Sequence, residues 1–459
     1  MKPSASNAIR AGLASVLLGA AQCPSWALGE PAFALNGEAR LRYDSFNNAQ
    51  AVRGNDYRQT LFRGILGAKL HLGPNLRLVG EAGTGQVAGR RDSAGANFQN
   101  TVSLQQFYAD ASASMGSAVI GAALGRQEFA DGPKQLLSVG DGPNIHRSWN
   151  GVRLYGKDGA LRVTAFDLRA TTLRRGPFDE KINHAERLQG LSANLAMPGD
   201  AGNGEAALSL DPFWLRTKNP AFRLGGRTGL DKRDTLGLRI WGRSGRLAFD
   251  WTLAHQAGRY TVPAAGGAMP ASGVGGSSPG RKTEAWALFA VHSLALSGQG
   301  WKPRITARLD VASGGRIDGS GADGSVAPAS APQRSFNQLY ASSNYLGEGQ
   351  FLSLSNLVMV TPGLALAPTA QTRLSAEYGF ARRYTERDAA YAGGMRAYAG
   401  TQNVAGHEIG GLLRVVASWS PEPALTLSLN IERFNAGSVL NRAGRPSGGY
   451  AYVGAWYRY

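Results

Sequence analysis

The sequence predicts an all-β protein, a transmembrane antiparallel β-barrel of about 18 strands with short periplasmic turns at one end and long extracellular loops at the other. Three observations predict it: an amphipathic last strand ending on an aromatic, a cleavable leader at the start, and an alternation of short and long connections between them. Each constrains what the chain can be.

In residues 450–459, Ala451, Val453, Ala455, Tyr457 and Tyr459 occupy one parity and Tyr452, Gly454, Trp456 and Arg458 the other. That is the apolar-out, polar-in dyad of a strand with lipid on one side. The last strand of a soluble sandwich alternates as well, so this segment does not decide alone. A strand closing on the first one would remove both sheet edges, the condition for β-structure to exist in hydrocarbon.

At the other end, Lys2 and Arg10 precede the apolar stretch 11–21, and Ser25 and Ala27 supply small residues at a cleavage site. The stretch is too short to span a bilayer, so residues 1–27 are expected to be a signal peptide and residues 28–459 a single barrel domain. Removal leaves 459 − 27 = 432 residues, and the sole cysteine, Cys23, leaves with the leader. A mature chain without thiols excludes disulfides, cysteine nucleophiles and cysteine-ligated metals. No later run reaches the length of apolar residues that a membrane helix needs, so any crossing is made by strands. Losing Lys2 and Arg10 lowers the formal net charge from +17 to +15, which still calls for an acidic partner.

Period-2 alternation recurs along the whole chain, bounded by turn residues. Short connections near residues 73–75, 115–117, 158–159, 244–245 and 421–423 are interleaved with long Gly-, Ser-, Pro- and Asn-rich ones. The long ones run over residues 45–56, 87–100, 130–146, 172–185, 217–232, 258–280, 314–347, 385–406 and 435–448. Nine long and eight short connections join 18 antiparallel strands and put both termini on the short-turn side, as in outer-membrane barrels. The 62 glycines and a mean hydropathy of −0.22 fit, because only one face of each strand has to be apolar.

Within the strands, charge keeps to one parity. Glu38, Arg40, Arg42 and Asp44 alternate with Gly37, Ala39, Leu41 and Tyr43; Arg63 and Lys69 oppose Phe62, Leu66 and Leu70; Arg77 and Glu81 oppose Leu76 and Leu78. The pattern repeats for Arg239, for Arg304, Arg308 and Asp310, for Arg373, Glu377 and Arg383, for Glu408 and Arg414, and for Glu432. A basic residue on the lipid face at mid-membrane costs roughly 2 to 4 kcal/mol, so the charged parity is assigned to the lumen, with Arg458 of the last strand joining it. A lumen rich in arginine concentrates anions and can grip carboxylates through paired hydrogen bonds, with the interspersed acids holding particular arginines extended.

The stretches Arg334-Ser-Phe-Asn-Gln-Leu-Tyr340, Tyr345-Leu-Gly347, Asn356-Leu357, Arg383 and Asp388-Ala-Ala-Tyr391 resemble the alginate export family of outer-membrane porins. Supporting stretches are Gly125-Arg-Gln-Glu-Phe129, residues 144–151 ahead of Val152-Arg-Leu154, residues 236–242, Pro303-Arg304 and Ala312-Ser-Gly314. The resemblance implies an 18-stranded barrel of the Gram-negative outer membrane with an electropositive pore through which an acidic exopolysaccharide leaves the cell. It adds Arg126, Glu128, Arg153 and Asp388 to the lumen set, alongside Arg239, Arg304 and Arg383. Expected partners are the anionic polysaccharide, outer-membrane lipid and periplasmic export components; the alternative is uptake of small organic anions.

Other chemistry is not supported. The six histidines form no triad with serine and no pair at metal-ligand spacing, so neither an enzyme nor a metal site is expected. Gly83-Thr-Gly85 opens no helix and lacks the lysine of a phosphate loop, so no nucleotide cofactor is expected. Basic residues spread at strand parity do not form the clustered patch that nucleic acid requires. Residues 258–280 and 314–347 are flexible by composition, and one of them is expected to fold inward as a gate.

Overall fold

The computed structural model describes residues 32–90, 93–133, 135–198, 206–224, 227–261, 280–315 and 331–459, so the expected signal peptide, residues 1–27, lies outside the described residues. Alternating sequences form the strands β1 (Phe33–Asn47), β2 (Tyr57–His71), β3 (Leu76–Ala88), β4 (Asn100–Met115), β5 (Ala118–Glu128) and β6 (Ser148–Asp158). They continue as β7 (Leu161–Thr172), β8 (Lys181–Pro198), β9 (Ala206–Leu224), β10 (Arg227–Ser244), β11 (Leu247–Thr261) and β12 (Arg281–Ala295). The last set is β13 (Arg304–Ala312), β14 (Leu357–Leu366), β15 (Thr372–Arg382), β18 (Glu408–Glu422), β19 (Leu425–Ala436) and β20 (Gly448–Arg458). The two-residue strands β16 (Tyr391–Ala392) and β17 (Arg396–Ala397) form a hairpin within a long loop.

Each long strand pairs antiparallel with the next, and β20 returns to pair with β1 from Glu38↔Arg458 to Asn47↔Gly449, closing an 18-stranded barrel. Closure leaves no backbone edge facing lipid. Among the described connections at the end that carries both termini, most are tight, the longest running over residues 296–303; Gly159 and Gly245 take the positive φ (52° and 56°) that two-residue hairpin turns require.

The parity is as the bilayer requires. Arg40, Arg42 and Asp44 are buried inside while Leu41 and Tyr43 are exposed, and Leu236, Leu238 and Leu253 stand on the outer wall. Replacing Leu238 by arginine is expected to cost roughly 2 to 4 kcal/mol of folding stability in bilayers and to lower the yield of heat-modifiable barrel on gels. Unchanged urea midpoints would show that this face does not meet hydrocarbon.

Several expectations need correction. Residues 217–232 are not a long loop: β9 and β10 run on until Leu224 pairs with Arg227, and the apparent turn at Asn219-Pro220 lies where the register shifts. A bulge absorbs a proline whose missing N–H would interrupt a regular ladder. The connection between β13 and β14 extends past 347 to residue 356, and Arg383 lies just beyond β15 rather than within a strand. A register shift also separates Ala381↔Gly410 from Arg382↔Glu408, so Ile409 turns inside and Glu408 is left exposed.

The lumen is not uniformly polar. Inward-facing Trp149, Phe166, Leu188, Phe213 and Phe289 on β6–β12 form one apolar core with Leu136, Leu137, Phe336, Tyr340, Phe351 and Leu354 from the long connections. The ring of Trp149 meets Tyr340 edge-on at 4.8 Å, and Phe351 stacks on Phe434 at 5.1 Å. The segments 129–147 and 331–356 therefore fold into the barrel. Of the expected inward segments 258–280 and 314–347, residues 262–279 and 316–330 lie outside the described residues and residues 331–347 do fold inward, whereas no inward course is expected of the connection 130–146.

Candidate functional site

With the β6–β12 side packed by loops, the polar part of the lumen runs along β1, β2, β13–β15 and β18–β20. The arginines of the barrel wall, on these strands and on β3, β5, β7 and β10, fall into three groups according to what they touch.

The first group latches the 129–147 segment. Arg40 donates to the carbonyl oxygens of Asp141 (2.7 Å) and Pro143 (2.7 Å) and to Asn144 Oδ1 (3.1 Å). Arg63 pairs with Glu38 and, at 2.7 Å, with Asp141. His146 closes the cluster, Nδ1 on Glu128 (2.7 Å) and Nε2 on Asp141 (3.0 Å). Burial disfavours the imidazolium, but Glu128 and Asp141 outweigh both burial and the nearby Arg63 and raise His146 to about 9. Burial would likewise raise Asp141; the His146 hydrogen bond and the charges of Arg63 and Arg40 instead hold it far below the usual carboxylate range. Two cavities flank this latch, one of about 270 Å³ beside Glu38, Glu81, Glu128 and His146, the other of about 210 Å³ beside Arg40, Arg42, Asp141 and Glu348, with Arg458 bordering both.

The second group is paired along the wall. Arg126, expected in the lumen, lies on the outer parity with its register partners Phe107 and Asn150, and meets Glu180 (2.7 Å) and the Leu104 carbonyl; Arg239 grips Asp250 through two hydrogen bonds (2.8 and 2.7 Å) and reaches Asp211. Arg308 lies 3.0 Å from Asp310 and 3.7 Å from Glu377, while Arg414 meets Glu377 (2.8 Å) and Glu432 (3.6 Å). Both Arg308 and Arg414 also donate to the Tyr345 carbonyl, which pins the 331–356 segment between β13 and β18.

The third group rings the turn-side mouth. Arg77, Arg162, Arg243, Arg304, Arg373 and Arg458 stand on the inward parity at the turn-side ends of β3, β7, β10, β13, β15 and β20, with Lys69 and Lys157 between them. Arg458 pairs with Glu38 (2.7 Å) and Arg77 with Asp110 (2.8 Å). Arg162, Arg304, Arg373, Lys69 and Lys157 have no carboxylate partner among the described residues. Arg153 lies deeper on β6, its guanidinium 5.7 Å from the Tyr155 ring.

Other expected members are elsewhere. Arg383 is a buried scaffold for the 383–407 segment, donating to carbonyls of Gly406, Asp388, Thr401 and Val404. Asp388 has no arginine on its carboxylate; it accepts from Gly315 N, Ser335 Oγ, Tyr391 Oη and Ala389 N. Burial raises it to about 6, less than burial alone would, because those four hydrogen bonds favour the charge. Glu81 lies against Gln106, Glu128 against His146, and Glu408 against Ser438 N, none against an arginine. Asp141, His146, Glu180 and Glu348 escaped the sequence reading because they sit in loops, where no parity marks them. Arg162, Arg243 and Lys157 were readable by strand parity and were missed.

The model of the family described as Alginate export matches residues 32–453. No match was found among curated proteins. Solved structures similar in fold include OccAB1 of Acinetobacter baumannii (10% identity, 95% of this chain and 99% of that one, TM-score 0.58) and a BenF-like porin of Pseudomonas fluorescens Pf-5 (10%, 93% and 98%, 0.56). OccK2 of Pseudomonas aeruginosa in complex with glucuronate is another (10%, 93% and 96%, 0.53).

Proposed function

The chain belongs to the alginate export family, and from that premise we propose that this outer-membrane pore exports an acidic polysaccharide, taking it in through the basic mouth on the periplasmic side. The observation that carries the reading is the set of cations at that mouth without a carboxylate partner among the described residues, Arg162, Arg304, Arg373, Lys69 and Lys157. A basic rim around a low-dielectric opening raises the local concentration of a polyanion by about tenfold or more. Further in, arginines already shared between two carboxylates, such as Arg414 between Glu377 and Glu432, offer a passing uronate only part of their hydrogen-bonding capacity. Weak, repeated contacts of that kind let a polymer advance without being trapped. Passage requires the 129–147 and 331–356 segments to give way, since both lie inside the barrel.

Uptake of small organic anions is the second reading, favoured by the glucuronate held by OccK2, a barrel of the same fold. The reversal potential of the refolded protein across a salt gradient, followed by polymannuronate from the periplasmic side, separates the two. Anion selectivity with polymer block supports export; block by monomeric acids alone supports uptake. Charge reversal of Arg162, Arg304 and Arg373 to glutamate together is expected to reduce anion preference by about tenfold, and unchanged selectivity would remove the mouth from the pathway.

A further inference from the structure

The outer wall of β7–β12 carries a row of like charges that the barrel does not need for conduction. Cross-strand register places Arg169 beside Arg187, Arg187 beside Lys218, Lys218 beside Lys232, Lys232 beside Arg259 and Arg259 beside Lys282. Six consecutive strands thus contribute one cation each to a transverse ladder. All six share the parity of Leu191, Leu236 and Leu253, so they point away from the lumen. Like charges directly opposite across a pair of strands are destabilising, because neighbouring Cβ atoms are only about 4.5 to 5.5 Å apart. An isolated barrel gains nothing from such an arrangement.

The rows beneath the ladder show what it is built against. One register step toward the membrane come Asp167, Gln189, Arg216, Asp234 and Glu284; one step further come Leu191, Trp214, Leu236, His255 and Trp286. Trp214 turns its indole N–H to Asp234 at 2.9 Å, holding its polar edge upward as an interfacial tryptophan does. Aliphatic wall, aromatic girdle, mixed charges and cations follow one another outward, in the order of acyl chain, ester region and headgroup. Arg187 and Lys282 have carboxylate partners in Asp167 and Glu284, whereas Lys218, Lys232 and Arg259 have none among the described residues. A groove of about 430 Å³ opens between Arg187, Gln189, Arg216, Lys218, Lys232 and Asp234, four cations against one carboxylate that Arg216 already pairs.

We propose that this groove and ladder bind the phosphates of the phosphorylated glycolipid that forms the external leaflet of a Gram-negative outer membrane. The ladder lies at the long-loop ends of its strands, which is the external side, and its parity exposes it to lipid rather than to the pore. Phosphates of one headgroup reach two or three adjacent cations at strand spacing, converting the repulsion within the ladder into attraction. The acyl chains of the same molecule then lie on Leu236, Leu253 and the aromatic girdle.

The test uses the full mature barrel in nanodiscs, with lipid A carrying both phosphates, its dephosphorylated form, inorganic phosphate and polymannuronate as separate probes. Native mass spectrometry is expected to find bis-phosphorylated lipid A retained and the dephosphorylated form lost. Changing Lys218, Lys232 and Arg259 together to glutamine is expected to weaken retention by about a hundredfold, from the scale of membrane-surface cations. The same variant should melt no lower than the parent in neutral lipid, since only repulsion has been removed there. Equal retention of the dephosphorylated lipid, displacement by inorganic phosphate or polymannuronate at comparable concentrations, or unchanged retention in the triple variant would each overturn the proposal.

Discussion

Replacing Arg40 with alanine is expected to raise single-channel conductance several-fold and to make the channel open at pH values where the parent is shut. Arg40 is the principal tie between the β1 wall and the 129–147 segment, through hydrogen bonds to Asp141, Gly142, Pro143 and Asn144. The buried acceptor Asn144 Oδ1 left without a donor costs about 1 to 3 kcal/mol in the closed arrangement and the partly exposed carbonyls less, a total that shifts a two-state latch by about a hundredfold. The pH dependence follows from His146. Its value in the folded protein is about 9 against an ordinary 6.5, so its charge stabilises the closed segment fully below about 6.5, and that contribution is lost as the pH rises through about 9. Asp141 is depressed and half-exposed, so its contribution fails only in strong acid and is weakened by solvent screening. Conductance of the parent should be low below about pH 6.5, climb as the pH rises toward 9 and level off above it, and His146→Gln should bring the open level down to neutral pH. A channel whose conductance is unaffected by either substitution is not gated by this segment.

The barrel was legible in the sequence because the bilayer imposes its period directly. Arg40, Arg42 and Asp44 cannot face lipid, Leu41 and Tyr43 gain by doing so, and that choice repeats on strand after strand. Loops were not legible for a converse reason. The segments 129–147 and 331–356 are as rich in small and turn-forming residues as any exposed loop, and the partners that draw them inside are remote in sequence, as Trp149 is from Tyr340. One inserted residue was enough to move Glu408 out of the lumen, since a bulge at Ile409 reverses parity and nothing local announces it. The motif residues 334–340 and 388–391 turned out to organise the internal segments: Ser335 and Tyr391 bind Asp388, and Tyr340 donates to Glu186 on the wall. Sequence patterns that mark the family therefore mark how the lumen is filled as much as what passes through it. The mouth cations, by contrast, needed only the strand parity carried to every turn.

Substituting Arg383 separates these two roles. Its guanidinium serves the carbonyls of Glu386, Asp388, Thr401, Val404 and Gly406 at once, and only a planar five-donor fork can reach so many acceptors from one position. Arg383→Ala strands them in a buried setting at about 1 to 3 kcal/mol each, with the sum reduced by relaxation of the segment. The expected result is a barrel that still folds but is cut by protease within residues 383–407, while the anion preference of its current is unchanged. Arg383→Lys should fare little better, because a single ammonium replaces a fan of fixed donors. A selectivity change with the segment still protected would instead put Arg383 on the conduction path, and the fan of carbonyls would then be the support of a pore residue rather than the reason for its charge.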